Sequence, residues 1–193
     1  MMHKHRGSQD RGGSTKKKKT SKKAQDIEKA INTNAFKKVK INQEFKLSYI
    51  HRNFVKLTQN NYFKLGILDG PAGTNKTYLS AYTGLLMLNS NKIDKIVYIR
   101  SLAESAEKSM GFLPGEVEDK CHPWSLPLQD KLAELLSEAD MRNIINDGFI
   151  DCIPVNYTRG LTFRNALVIV DESQNLTKQE LITILTRFGH NSR

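Results

Sequence analysis

Residues 64–77, KLGILDGPAGTNKT, constrain this chain more than any other stretch. An apolar run meets a Gly/Pro turn, and a Lys-Thr pair opens the next helix-patterned segment. The spacing follows G-x-x-x-x-G-K-[ST], a loop whose backbone N–H groups and following helix N-terminus converge on a phosphate. Gly70, Lys76 and Thr77 fit this pattern, while Asn75 stands where the second glycine is expected. A chance Gly/Pro turn between a strand and a helix gives a similar string, so a second signal is needed.

That signal lies at 166–175, ALVIVDESQN. In a phosphate-loop enzyme a buried strand ending in Asp-Glu completes the site. Asp171 then holds Mg²⁺, directly or through water, and Glu172 orients or deprotonates an attacking water. An Asp-Glu pair alone commonly caps a helix after a strand. The two motifs in this order predict an α/β P-loop NTPase domain. Gly70, Pro71, Ala72, Gly73, Thr74 and Asn75 would cradle phosphate, Lys76 would add its charge, and Thr77 would share the metal with Asp171.

The intervening sequence agrees with that fold class. Apolar runs predict strands at 65–69, 95–99, 149–155 and 166–170. Helical spacing predicts helices near 42–57, 76–89, 127–146 and 177–188, the last opened by a capping box of Thr177 and Glu180. Strands alternating with helices predict a mainly parallel sheet flanked by helices. Residues 101–127 carry Gly111, Pro114, Gly115, Pro123 and Pro127 and are expected to form a long irregular loop.

Charge divides the chain in two. Residues 1–25 hold nine Lys and Arg against Asp10, a charge of +8 out of +10, which leaves +2 for residues 26–193. Like-charged blocks among Gly, Ser and Thr bury too little apolar surface to order, so 1–25 is expected to be a disordered basic tail before one domain, 26–193. Lys16, Lys17, Lys18 and Lys19 either solubilise the chain or hold nucleic-acid phosphates. No secretory segment follows the basic run and no apolar run is long enough to span a bilayer, so no membrane partner is expected. Cys121 and Cys152 lie far apart without metal-ligand spacing, and read as reduced thiols of a cytoplasmic protein.

With these motifs in hand, the sequence resembles the PhoH-like family of P-loop ATPases from about Asn42 onward. GPAGTNKTYLSA at 70–81 is similar to that family's GPAGTGKT loop, and Arg100 closes the second strand as its arginine does. GFLPG at 111–115, Arg159-Gly160 with Thr162, DESQN at 171–175 and LTRFGHNS at 185–192 extend the likeness. The resemblance implies a RecA-like core, similar to the first domain of superfamily 1 helicases, that uses ATP and Mg²⁺. It implies that Gln174 sits near the γ-phosphate and couples it to nucleic acid, and that Gln43 reads adenine. It also implies RNA or single-stranded DNA as a partner, contacted through Arg100 and Arg159, and assembly into homo-oligomeric rings.

Three departures qualify that expectation. Asn75 puts a Cβ and an amide where bare backbone is usual, although Asn accepts a left-handed conformation more readily than other side chains. Ser101 replaces a proline and removes no reactive group. The sequence is also expected to lack a strand after Arg193 that carries a γ-phosphate sensor in the family. A separate chain that completes the sheet, or a longer gene of which this is a fragment, would supply it. The main reading is a Mg-dependent ATPase linked to RNA or single-stranded nucleic acid. The alternative is a module that holds nucleotide without turnover and is tethered to nucleic acid by its tail. A small-molecule kinase fits DESQ and the Arg-Gly segment less well.

Overall fold

The computed structural model describes residues 36–42, 46–101 and 117–193, with side chains omitted for 117–123. The expected disordered tail with Lys16, Lys17, Lys18 and Lys19, the adenine-reading Gln43 and the GFLPG string lie outside the described residues.

Among the described residues the helices are α1 (Tyr49–Thr58), α2 (Lys76–Asn89), α3 (Val117–Leu135), α4 (Glu138–Asn146) and α5 (Lys178–Leu185). Three strands among the described residues, β1 (Lys95–Arg100), β2 (Ile150–Pro154) and β3 (Ala166–Asp171), form one parallel sheet in the order β2-β1-β3. Register sets Arg100 beside both Pro154 and Asp171, so the C-terminal ends of the strands share one edge. In open parallel sheets this is the edge where ligands bind.

The central strand explains why an uninterrupted apolar sequence is needed. Ile96 and Tyr98 of β1, with Leu167 and Ile169 of β3, pack into a cluster with Leu79, Leu85 and Leu88 of α2 and Leu128, Leu132 and Leu135 of α3. The alternate residues Val97, Ile99 and Val168 pack on the other face with Phe163 and Ile184 of α5. Both faces are dry, so a period-2 pattern disappears. Helix α2 lies so close to the sheet that a Cβ on Gly84 would stand 2.6 Å from Ile96 Cδ1. The start of α5 is as expected: Thr177 caps it, and Glu180 reaches back to the Thr177 N–H in a capping box.

Two elements differ from the sequence expectation. Residues 65–69 are not a paired strand; Leu65 is 61% and Ile67 85% exposed. An extended apolar run becomes a strand only where a neighbour meets its N–H and C=O groups, and none of the described strands pairs with it. The outer edge of β3 instead meets Arg193, which donates its N–H to Ala166 O at 2.9 Å and accepts from Val168 N–H at 2.8 Å. The buried Arg193 side chain donates to the carbonyls of Thr58 and Asn60, tying the end of α1 to this edge. Second, residues 117–127 are helical rather than irregular, and the single helix expected at 127–146 is two, α3 and α4, separated before the Ser137 cap. Pro123 and Pro127 fall four residues apart in α3, so both missing N–H groups lie on one side of the helix. Burial of Leu128, Leu132 and Leu135 offsets the local cost.

Candidate functional site

The loop after Asp69 is built from turn chemistry. Gly70 N–H donates to Asp69 Oδ1 at 2.8 Å, and Thr74 Oγ1 donates to Pro71 O at 2.8 Å. Gly73 takes φ 77°, and no atom of the described residues lies within 4 Å of where its Cβ would be. Asn75 is the N-cap of α2 and takes φ 59°, ψ 30°, the left-handed conformation expected of it. Its side chain makes no capping bond, so the first turn of α2 keeps N–H groups that no side chain of the cap satisfies. Lys76 extends back over the loop and donates from Nζ to Gly70 O at 2.7 Å and Pro71 O at 2.8 Å.

Ninety-four residues later in sequence, Asp171 ends β3 directly against this helix start. The Thr77 hydroxyl lies 3.2 Å from Asp171 Oδ2 and 3.3 Å from Oδ1. Glu172 follows in a left-handed conformation, φ 51°, and its N–H donates to Asp171 Oδ1 at 3.1 Å. The Glu172 carboxylate accepts from Gln174 Nε2 at 2.5 Å, so these two side chains form one unit on the turn after β3. Among the described residues no group of three or more His, Cys, Asp or Glu converges to hold a metal. The set Thr77 and Asp171 fits a small hard cation that draws its remaining oxygens from phosphate and water, as Mg²⁺ does.

A third group at Asp171 has no motif to announce it. Tyr98, 1% exposed, donates its hydroxyl to Asp171 Oδ2 at 2.6 Å. Burial and then this hydrogen bond raise the phenol's pKa well above the ordinary tyrosine value, so it is a fixed donor. In sequence Tyr98 is one apolar letter in KIVYIR. The only hint is that a buried tyrosine hydroxyl needs a partner.

Of the other expected residues, Arg100 is drawn to the site by register. It is paired with Asp171 across β1 and β3, and its buried Nε has no hydrogen-bond partner among the described residues. Arg159 lies exposed after the 3₁₀ turn Val155–Thr158, in the connection leaving the same sheet edge. Lys76, Thr77, Asp171, Glu172 and Gln174 are thus grouped, with Arg100 beside them, while Arg159 stands on the rim.

Comparison with known proteins agrees in extent with this architecture. A family described as PhoH-like protein matches residues 45–193. The chain is 38% identical over 146 residues to a PhoH-like protein of Synechocystis, an overlap of 76% of this chain and 44% of that one. It is also 38% identical over 142 residues to the PhoH-like protein of Bacillus subtilis, covering 74% of this chain and 44% of the relative. Protein PhoH of Escherichia coli is 36% identical over 124 residues, 63% of this chain and 35% of that protein. The match therefore spans less than half the length of these relatives. With a parallel sheet whose edge gathers the loop and the β3 carboxylates, and with matches of this extent, the chain belongs to the PhoH-like family.

Proposed function

We propose that this chain binds Mg-ATP at the edge formed by the 70–77 loop and the end of β3, and hydrolyses it in connection with RNA or single-stranded DNA. The observation that carries this reading is the approach of the Thr77 hydroxyl to both oxygens of Asp171. Those two groups belong to motifs far apart in sequence, and a phosphate-bound cation needs both. In this reading the phosphates draw Lys76 Nζ away from the carbonyls of Gly70 and Pro71, which hold it meanwhile. The α2 N-terminus supplies further N–H donors. Thr77 and Asp171 would hold Mg²⁺, which when bound would supply charge neutralisation to the phosphate oxygens. Glu172 accepts a proton from water, and Gln174, bonded to it, reports on the terminal phosphate. Arg100 brings a cation whose buried Nε has no partner among the described residues to a place where an anion would satisfy it.

ATP binding and phosphate release, measured with and without single-stranded RNA, test the reading. Lys76→Ala is expected to abolish ATP binding. Glu172→Gln is expected to keep binding and to lose hydrolysis by about 10²-fold or more, the usual weight of a general base. Hydrolysis unchanged in both variants overturns it. Binding without hydrolysis in the native chain favours a nucleotide-holding module instead. The Glu172 carboxylate, already engaged by Gln174, is the feature that reading would build on.

A further inference from the structure

We infer that Tyr98 is a positioning residue for the divalent cation, holding the Asp171 carboxylate in the orientation that receives it; this rests on the Mg-nucleotide reading above. Three donors surround that carboxylate. Tyr98 reaches Oδ2 at 2.6 Å, the Glu172 N–H reaches Oδ1 at 3.1 Å, and Thr77 stands between the two oxygens at 3.2 and 3.3 Å. They differ in what a cation does to them. Thr77 carries a single proton and an oxygen that a hard cation takes as a ligand, so its bond to Asp171 is exchangeable. The Tyr98 and Glu172 donors approach from the strand and the backbone, and keep their bonds when Thr77 turns to the metal.

The aspartate needs such support. Rotation about its last side-chain bond is broad and weakly restrained, so nothing in Asp171 itself selects which lone pairs face α2. The Tyr98 ring is locked in the core with Ile96, Leu167 and Ile169, and its hydroxyl is aimed by β1. Tyr98 pairs in register with Ile169, two residues before Asp171 and on the same face of β3. The phenol therefore reaches forward along the sheet to a carboxylate whose strand is hydrogen-bonded to its own. Loss of a hydrogen-bonded partner of this kind around a ligand typically costs about 10–100-fold in metal affinity. A phenol spanning two strands also makes the cation site depend on sheet register, so a shift of β3 against β1 would release the carboxylate.

Tyr98→Phe removes the hydroxyl and keeps the ring, so packing survives. The probe is Mn²⁺, titrated by electron paramagnetic resonance against the full chain at saturating ATP, with ATP affinity measured separately in EDTA. The half-saturating Mn²⁺ concentration is expected to rise by about tenfold in the variant. Metal-free ATP affinity is expected to stay unchanged, because Lys76 and the loop backbone are untouched. Unchanged or tighter Mn²⁺ binding overturns the inference, as does a parallel loss of metal-free ATP affinity, which would mark general damage to the site. A native chain that binds neither ATP nor Mn²⁺-ATP overturns the nucleotide reading first and this one with it, and so is told apart from failure in the variant alone.

Discussion

Asn75 occupies a conformation that most side chains avoid, at φ 59° and ψ 30°, on the residue that launches α2. A left-handed residue with a Cβ costs about 1–2 kcal/mol, and Asn lowers that cost through its short polar side chain. Asn75→Ala is therefore expected to lower unfolding free energy by about 1 kcal/mol, read as a lower urea midpoint with unchanged slope. Asn75→Gly is expected to hold stability and to bind ATP at least as tightly, since it removes atoms beside the loop. Asn75→Ala matching the native midpoint would show that the left-handed turn is not fixed in solution. This residue is legible in sequence because a strict motif gives each position a conformational demand, and Asn is among the non-glycine residues that meet it most readily. Tyr98 and Arg193 are not legible. Each acts through a partner set by strand register or by a chain crossing, the Asp171 carboxylate for one and the carbonyls of Thr58 and Asn60 for the other. No local spacing encodes either interaction.

At the level of elements, sequence periodicity reports which faces are apolar but not which neighbours will be present. That is why α2, β1, β3 and the capped start of α5 are readable, while residues 65–69 mimic a paired strand and the prolines of α3 mimic a loop. The same distinction applies to the turn after α5. Gly189 donates its N–H to Phe163 O at 2.7 Å, and Phe163 packs edge-to-face against Phe188. A Cβ on Gly189 would stand 2.7 Å from that same carbonyl oxygen and 3.0 Å from side-chain carbons of Thr162 and Arg164. The nearest of these atoms is a backbone carbonyl, which cannot swing aside as a side chain can, and overpacking of this kind costs about 1–3 kcal/mol. Gly189→Ala is expected to lower thermal stability accordingly and to disturb the second core cluster around Phe163 and Ile184 before the first. Hydrogen exchange checks this: amides of α5 should lose protection while those of α2 keep theirs, and uniform loss across both would show that the two faces unfold together.

The whole molecule separates its charge from its candidate chemistry. Residues 1–25 carry +8, and the remaining 168 residues, which hold the loop and the β3 carboxylates, carry only +2. A surface with so little net charge gives weak long-range attraction for a polyanion, whereas nine cations in a short segment neutralise several phosphates at once. Attraction through the tail and nucleotide binding at the sheet edge should then be separable functions. Deleting residues 1–25 is expected to weaken affinity for single-stranded RNA and to flatten its dependence on salt, by about 0.7 in the log–log slope for each phosphate that the tail neutralises. ATP affinity is expected to stay as it was, because no residue of the loop, β1 or β3 is touched. Fluorescence anisotropy over a salt series measures the first quantity and nucleotide titration the second. A slope unchanged by the deletion would move nucleic-acid binding to the rim, where Arg159 is exposed beside the strand ends, and would leave the tail as a solubilising segment.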